Sequence, residues 1–138
     1  MTQTELRIGN FVSAKTTSES FNIISEIGDG GSGRGWYVRL ENVNHGVWLE
    51  HDGRFLIEGI EITEEWLLKF GFKNKNGQNR YELKHIGMVL LNDSVCVTMY
   101  DAYNEVDNSL VLLNYIHQLQ NLYFALVGSE LQLLEAEV

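Results

Sequence analysis

The glycine-rich stretch 28–35 has the spacing that comes nearest to a ligand-binding motif in this sequence. Gly28, Gly30 and Gly33 fit the pattern G-x-G-x-x-G. In dinucleotide-binding folds such a loop follows a strand and opens a helix. Residues 36–40 instead alternate with period two, which predicts a second strand and therefore a hairpin tip.

A nest of backbone amides for an anion or a nucleotide phosphate is the other interpretation of this loop. Such a site would combine glycine amides with a nearby basic side chain and with aromatic rings. The residues predicted for it are Gly30, Gly31, Gly33, Arg34, Trp36 and Tyr37.

Aromatic side chains cluster in the N-terminal half, at Trp36, Tyr37, Trp48 and Phe55. Small barrels use such rings to stack bases or to grip a peptide, although packing in the core is the plainer interpretation. Because neighbouring residues of a strand face opposite sides, Trp36 and Tyr37 are predicted on different faces, with one of them exposed.

Neither a nucleophile with its base nor a set of metal ligands can be recognised from the spacing. The four histidines include no pair at helical metal-ligand spacing, and Cys96 is the only cysteine. His117 lies in a predicted core helix, where a hydrogen-bonded structural histidine is more typical than a catalytic base. We therefore predict a non-enzymatic protein with no catalytic residues, no metal site and no cofactor.

The composition is acidic, with ten Lys and Arg against nineteen Asp and Glu and a formal net charge of −9. Generic binding to a nucleic-acid backbone requires a basic face, so this class is disfavoured. The N-terminus lacks the regions of a signal peptide, and the uncharged window 108–129 is too polar for a lone membrane span. These patterns predict a cytoplasmic protein.

The stretch 115–127 predicts a buried core helix, because its apolar residues recur at the 3.6-residue period and Gly128 follows as a cap. The aromatic residues Tyr115, Tyr123 and Phe124 cannot all share one face of this helix. We therefore predict that part of this set is an interface, either with a second copy in a homodimer or with a partner protein.

The whole chain predicts an α+β fold. Five or six short strands before residue 62 indicate a small, SH3-like barrel or a strongly bent sheet, and the first of them is predicted over 6–12. A short helix capped by Thr63 follows, then an antiparallel meander, the core helix and an edge strand over 130–134. Residues 110–113 are either a short strand or the start of the core helix.

The best internal boundary lies near residues 62 and 63. It predicts an all-β subdomain over 1–62 and an α+β subdomain over 63–138 that contains the core helix 115–127. The alternative is one continuous domain.

Three segments carry a resemblance: Glu5-Leu-Arg-Ile-Gly-Asn-Phe-Val12, the Thr-Glu-Glu-Trp segment 62–72, and 115–128, which contains His-Gln-Leu-Gln-Asn-Leu-Tyr-Phe-Ala-Leu. In this order they resemble a widespread family of small uncharacterised proteins encoded by bacteria and by their phages and prophages. The resemblance implies a mobile-element setting in the cytoplasm of a bacterial host, and no chemistry.

Two functional classes follow. The first is a non-enzymatic phage-type accessory protein that binds a host protein or a small signalling ligand such as a nucleotide, with an anti-defence role as one such function. The second is a small-barrel module associated with nucleic acid. The acidic balance favours the first class.

Overall fold

The structure is a computed structural model that describes residues 3–51, 53–74, 80–83, 86–90, 95–100 and 107–134. The chain divides into two compact units. The first unit comprises Met1–Ile60 and Tyr115–Leu126, and the second comprises Glu61–Asn114 and Val127–Val138. The first division falls two residues before the predicted boundary, whereas the core helix groups with the N-terminal residues and not with the C-terminal ones.

The first unit is built from seven short strands, all in antiparallel pairs. They are β1 (Phe11–Ala14), β2 (Asn22–Asp29), β3 (Trp36–Leu40), β4 (Val47–Trp48), β5 (Glu50–His51), β6 (Arg54–Phe55) and β7 (Ile57–Glu58). Five of them form a sheet in the order β4-β3-β2-β1-β7, and β5 pairs with β6. Among the described strands no pairing joins β4 to β7, so the sheet is open.

Alternate residues of these strands form the core of the first unit. In β3, Val38 and Leu40 are buried while Arg39 between them is exposed. The cluster consists of Leu6, Val12, Ala14, Ile24, Val38, Leu40, Val47, Leu49 and Ile57. Burial of the strand residues in this cluster holds the sheet together, since isolated short strands have little stability of their own.

The prediction of a first strand over 6–12 is wrong in its first half, because β1 begins only at Phe11. The residues before it form a turn. The Asn10 Oδ1 atom accepts a hydrogen bond from the Arg7 backbone N–H at 2.6 Å, and Gly9 has a φ of 95°. Asn side chains bond readily to nearby backbone, and glycine adopts positive φ without strain, so the two residues interrupt the strand.

The short helix of the second unit, α1 (Glu64–Lys69), begins and ends as predicted. The Thr63 hydroxyl accepts from the Trp66 N–H at 3.4 Å. At the other end Gly71 has a φ of 92°, and the Phe72 N–H donates to the Leu67 carbonyl at 3.0 Å. This is the Schellman arrangement that the Gly-Phe pair indicates.

A five-stranded antiparallel meander fills the rest of the second unit, in the order β12-β11-β10-β9-β8. Its strands are β8 (Lys73–Asn74), β9 (Arg80–Leu83), β10 (Ile86–Leu90), β11 (Val95–Tyr100) and β12 (Asp107–Leu113). The meander is confirmed, and residues 110–113 belong to a strand. Together with the two helices, these sheets confirm the α+β class. The side chain of Cys96 lies outside the described part of the structure.

The predicted edge strand over 130–134 is wrong. These residues pair with no described strand. Leu131 is buried instead, and the Leu134 N–H donates to the Lys69 carbonyl at 2.7 Å. The segment thus caps the end of α1 rather than extending a sheet, because the last helical carbonyls need a donor.

The core helix, α2 (Ile116–Val127), is confirmed within one residue, and Gly128 after it has a φ of 83°. Its buried residues are Ile116, His117, Leu119, Gln120 and Tyr123. Two of these side chains, His117 and Gln120, are polar, so the buried face of α2 is not purely apolar. No helix of the described residues is long and apolar enough to cross a membrane.

Candidate functional site

Two of the three glycines of the G-x-G-x-x-G pattern, Gly28 and Gly30, pack against aromatic rings. A Cβ atom at Gly28 would stand 2.6 Å from the Tyr37 ring, and one at Gly30 would stand 2.5 Å from the Trp48 ring. The two rings meet edge to face, with centroids 6.2 Å apart at 82°. The first two glycines of the pattern are therefore explained by packing, because any side chain would collide with the aromatic pair.

The loop also satisfies several of its own amides. The Gly31 N–H donates to the Asp29 carboxylate at 2.9 Å, the Gly30 N–H donates to the Gly35 carbonyl at 2.8 Å, and the Arg34 N–H donates to the Gly31 carbonyl at 2.9 Å. A phosphate would need some of these donors and would meet the negative charge of Asp29. The arrangement favours a hairpin tip over an anion site.

Trp36 and Tyr37 occupy different sides of β3. Trp36 is 39% exposed at the start of the strand, whereas Tyr37 is half-buried against Gly28 and Trp48. The six residues predicted for a ligand are thus split, with Tyr37 in the aromatic pair and Trp36 on the opposite face.

A buried amide on α2 joins the helix to the N-terminal turn. Gln120 is 1% exposed. Its Oε1 atom accepts from the Phe11 N–H at 2.8 Å, and its Nε2 atom donates to the Gly9 carbonyl at 3.1 Å. The Asn10 Nδ2 group lies 3.4 Å from the same Oε1 atom. Gln120 therefore pairs backbone groups that the turn before β1 leaves without strand partners.

Asn121, the next residue, extends this network. Its Oδ1 atom accepts from Asn10 Nδ2 at 2.8 Å and from Arg7 Nε at 3.0 Å. Its Nδ2 group donates to the Glu5 carbonyl at 2.8 Å. The first and last segments of the family resemblance thus meet in one hydrogen-bond network.

Sequence reasoning missed this network, although one signal was present. Gln120 stands four residues after Ile116 and three before Tyr123, which is a core position of the helix. A polar residue at a core position indicates a buried hydrogen-bond partner.

A surface formed by Arg7, Ile8 and Phe124 adjoins this network through the bond from Arg7 to Asn121. We call it the Arg7 patch. The Arg7 guanidinium carbon lies 4.4 Å from the centre of the Phe124 ring. Phe124 is 42% exposed, and Ile8, in the same turn as Arg7, is 63% exposed. An arginine stacked on an aromatic ring is held in place before any partner arrives.

The three predicted interface residues of α2 differ in exposure. Phe124 belongs to the Arg7 patch, and Tyr115 is 38% exposed. Tyr123 is only 4% exposed, so it offers a partner almost no surface. A Cβ at Gly59 would stand 2.6 Å from the Tyr115 ring, which shows that this ring packs closely against the Gly59 backbone.

His117 is buried, but the hydrogen bond typical of a structural histidine is not found among the described residues. It is 1% exposed, and neither ring nitrogen has a partner among the described residues. The Tyr115 ring stacks on it, with centroids 5.7 Å apart and 10° between the planes. Burial lowers the pKa of His117 below 6.5, although the charge of Glu5 acts in the opposite direction.

This burial makes the stability of the protein dependent on pH. Below about pH 6.5, the ordinary value for histidine, the unfolded chain takes up a proton that the folded ring resists. Stability is therefore complete above this pH and falls below it, by at most about 1.4 kcal/mol per pH unit for one proton. We expect urea unfolding at pH 7.5 and 5.5 to show a smaller pH effect for His117→Leu than for the wild type.

His45 supplies the matched control, since it is exposed. The variant His45→Gln should keep the full pH effect of the wild type. An equal pH effect in the wild type and in His117→Leu would contradict the assignment to the buried ring.

One groove of the first unit has a volume of about 230 Å³ and is lined by residues 19–23 and 41–43. It lies beside the start of β2 and the turn after β3. Glu19 and Glu41 are among its lining residues, and both are exposed. The groove shares no residue with the glycine-rich loop or with the Arg7 patch.

Among the residues described here, no group of three or more His, Cys, Asp or Glu side chains is placed to hold a metal ion. Comparison of the chain with protein-family models, with curated proteins and with solved structures gives no match.

Proposed function

We propose that this chain is a non-enzymatic, phage-type accessory protein that binds a protein of its bacterial host through the Arg7 patch. The observation that supports this proposal is a half-buried arginine, Arg7, stacked on the exposed ring of Phe124. Arginine and aromatic side chains are enriched in protein interfaces and among the residues that carry most of the binding energy.

The network beneath the patch supports the same proposal. The Arg7 Nε atom bonds to Asn121, whose other contacts anchor it to Asn10 and to the Glu5 carbonyl. An arginine fixed in this way loses little conformational entropy on binding, so more of its contact energy appears as affinity. A flexible surface arginine would lack this advantage.

A nucleic-acid-associated small barrel is the second candidate. It is favoured by the strand order β4-β3-β2-β1-β7, in which β7, the last strand of the sheet in sequence, pairs with the first, β1. The exposed Trp36 also favours it. Small SH3-like barrels have such a returning strand, and exposed aromatics can stack bases. The net charge of −9 opposes it. A nucleotide at the glycine-rich loop is opposed by the Asp29 carboxylate.

Affinity capture from host lysate, with quantitative mass spectrometry, tests the first candidate. We expect the wild type to retain a host protein that Ile8→Asp and Phe124→Ser lose at least tenfold, because both changes remove apolar contact from the patch. Leu126→Ser is the matched control, since Leu126 lies on the same helix and is 41% exposed.

Several outcomes would count against the proposal. Equal loss with Leu126→Ser would mean that binding is not located at the patch. Salt-sensitive retention of random duplex DNA by the wild type would favour the second candidate. A dimer in sedimentation that Phe124→Ser splits would assign the patch to a second copy of the chain.

A further inference from the structure

The imidazole of His117 lies where a second proton has no acceptor. The side chain is 1% exposed. Both ring nitrogens, Nδ1 and Nε2, are enclosed, and neither has a hydrogen-bond partner among the residues that the structure describes. A neutral imidazole has one N–H donor, whereas an imidazolium has two and carries a charge as well. A buried charge without acceptors is strongly disfavoured, so the folded site opposes protonation.

The position of His117 in α2 has the same effect. It is the second residue of a helix that begins at Ile116, and the positive end of the helix dipole disfavours a cation there. Burial is the largest influence on the pKa of His117 and lowers it, the charge of Glu5 raises it, and the charged amino terminus lowers it. The phenol of Tyr115, which also faces the ring, adds no charge near neutral pH.

The Tyr115 ring covers one face of the imidazole. It stacks on His117 with ring centroids 5.7 Å apart, and Tyr115 itself is 38% exposed. On its way across the backbone it packs so closely that a Cβ atom at Gly59 would stand 2.6 Å from it. Displacement of this half-exposed ring therefore gives water access to the buried imidazole.

The first turn of α2 is attached separately from the turns that follow. The Ile116 N–H donates to the Ile60 carbonyl at 2.8 Å. The bonds of Gln120 to the turn before β1 lie one helical turn later. Helix ends open at lower free energy than the centres of packed helices. Opening of residues 115–118 can therefore release the imidazole while the bonds of Gln120 persist.

We propose that residues 115–118 form an acid-sensitive latch. In acid the imidazole of His117 takes up a proton from solvent, the Tyr115 ring leaves Gly59, and the imidazolium moves into water while the rest of α2 stays folded. Loss of the proton at neutral pH closes the latch again. The latch goes beyond the binding function proposed above, since none of its residues belongs to the Arg7 patch.

A latch and global unfolding give different pH profiles. If His117 took up its proton only in the unfolded chain, the ratio of folded to unfolded protein would fall by up to tenfold for each pH unit below about 6.5. A folded protein with an open latch also takes up the proton. The fall therefore levels off once the open form is the main folded form.

Proton–carbon NMR spectra of the full chain, labelled at histidine and tyrosine and titrated from pH 7.5 to 4.5, test the latch directly. We expect the ring signals of His117 and Tyr115 to shift with one common midpoint below 6.5. The ring signals of Tyr123, in the centre of α2, should keep their native positions. Protonation of His117 only as all native signals disappear, or a ring that stays neutral to pH 4.5, would overturn the latch.

Two histidine variants assign the proton. His117→Phe keeps a flat ring for Tyr115 to stack on but has no proton to gain, so the shift of the Tyr115 signals should disappear. His45→Gln, at an exposed histidine, should leave that shift unchanged. A Tyr115 shift that survives in His117→Phe would overturn His117 as the group that opens the latch.

Two glycine variants test the covering ring. In Gly59→Ala the new Cβ atom collides with the Tyr115 ring and displaces it. The midpoint of His117 should then rise toward 6.5 by about half a pH unit or more, because the ring gains access to water. Gly46→Ala, which touches Tyr37 instead, should leave the midpoint unchanged. Equal midpoints in these two variants would show that the Tyr115 ring does not control protonation.

Discussion

Replacement of Gln120 by alanine should cost about 2–4 kcal/mol of unfolding free energy. It orphans the buried Phe11 N–H, which Gln120 holds at 2.8 Å, at about 1–3 kcal/mol, and it removes the donor 3.1 Å from the half-buried Gly9 carbonyl, at about 1 kcal/mol. Urea unfolding followed by tryptophan fluorescence measures the loss.

Two further variants separate the causes. Gln120→Met keeps the length of the side chain and fills the space, so its cost reports the orphaned groups without a cavity. Gln132→Ala changes an exposed glutamine and should cost less than about 0.5 kcal/mol. A Gln120→Met variant as stable as the wild type would show that the amide contributes nothing net.

Truncation of Leu119 to alanine should cost about 2–5 kcal/mol, the usual range for a fully buried leucine. Leu119 is 1% exposed, whereas Leu122 on the same helix is half-buried. The matched variant Leu122→Ala should therefore cost clearly less. Thermal and urea unfolding of the pair measure the difference, and equal losses would contradict the burial that the structure assigns.

Local signals in the sequence were sufficient to predict the positions of most of the helices and strands. Thr63 and Gly71 mark the ends of α1, and Gly128 marks the end of α2, because capping depends on residues close in the chain. The strand β3 follows its alternation. The predicted strand over 6–12 failed because Asn10 bonds to the Arg7 backbone and Gly9 adopts a positive φ, so a local turn interrupts the strand. The predicted strand over 130–134 failed because Leu134 bonds to the distant Lys69 carbonyl.

The candidate sites were harder to predict. The glycine pattern at 28–35 was visible, but its reason, the rings of Tyr37 and Trp48 above it, depends on strand register. The Arg7 patch joins a turn to a helix more than a hundred residues later in the sequence. A pairing of that kind leaves no periodic trace in one sequence. The groove likewise depends on two loops brought together by the sheet.

The order in which the two units occur along the chain has a consequence for synthesis. The first unit takes its N-terminal part from residues 1–60 and its helix from 115–126. On the ribosome, the turn before β1 therefore emerges long before Gln120 and Asn121 exist to satisfy it. The first unit cannot be completed before residues 115–126 have been translated, and its folding is slowed by the long loop that it closes. A nascent chain stalled before residue 115 would expose an incomplete sheet to chaperones and proteases.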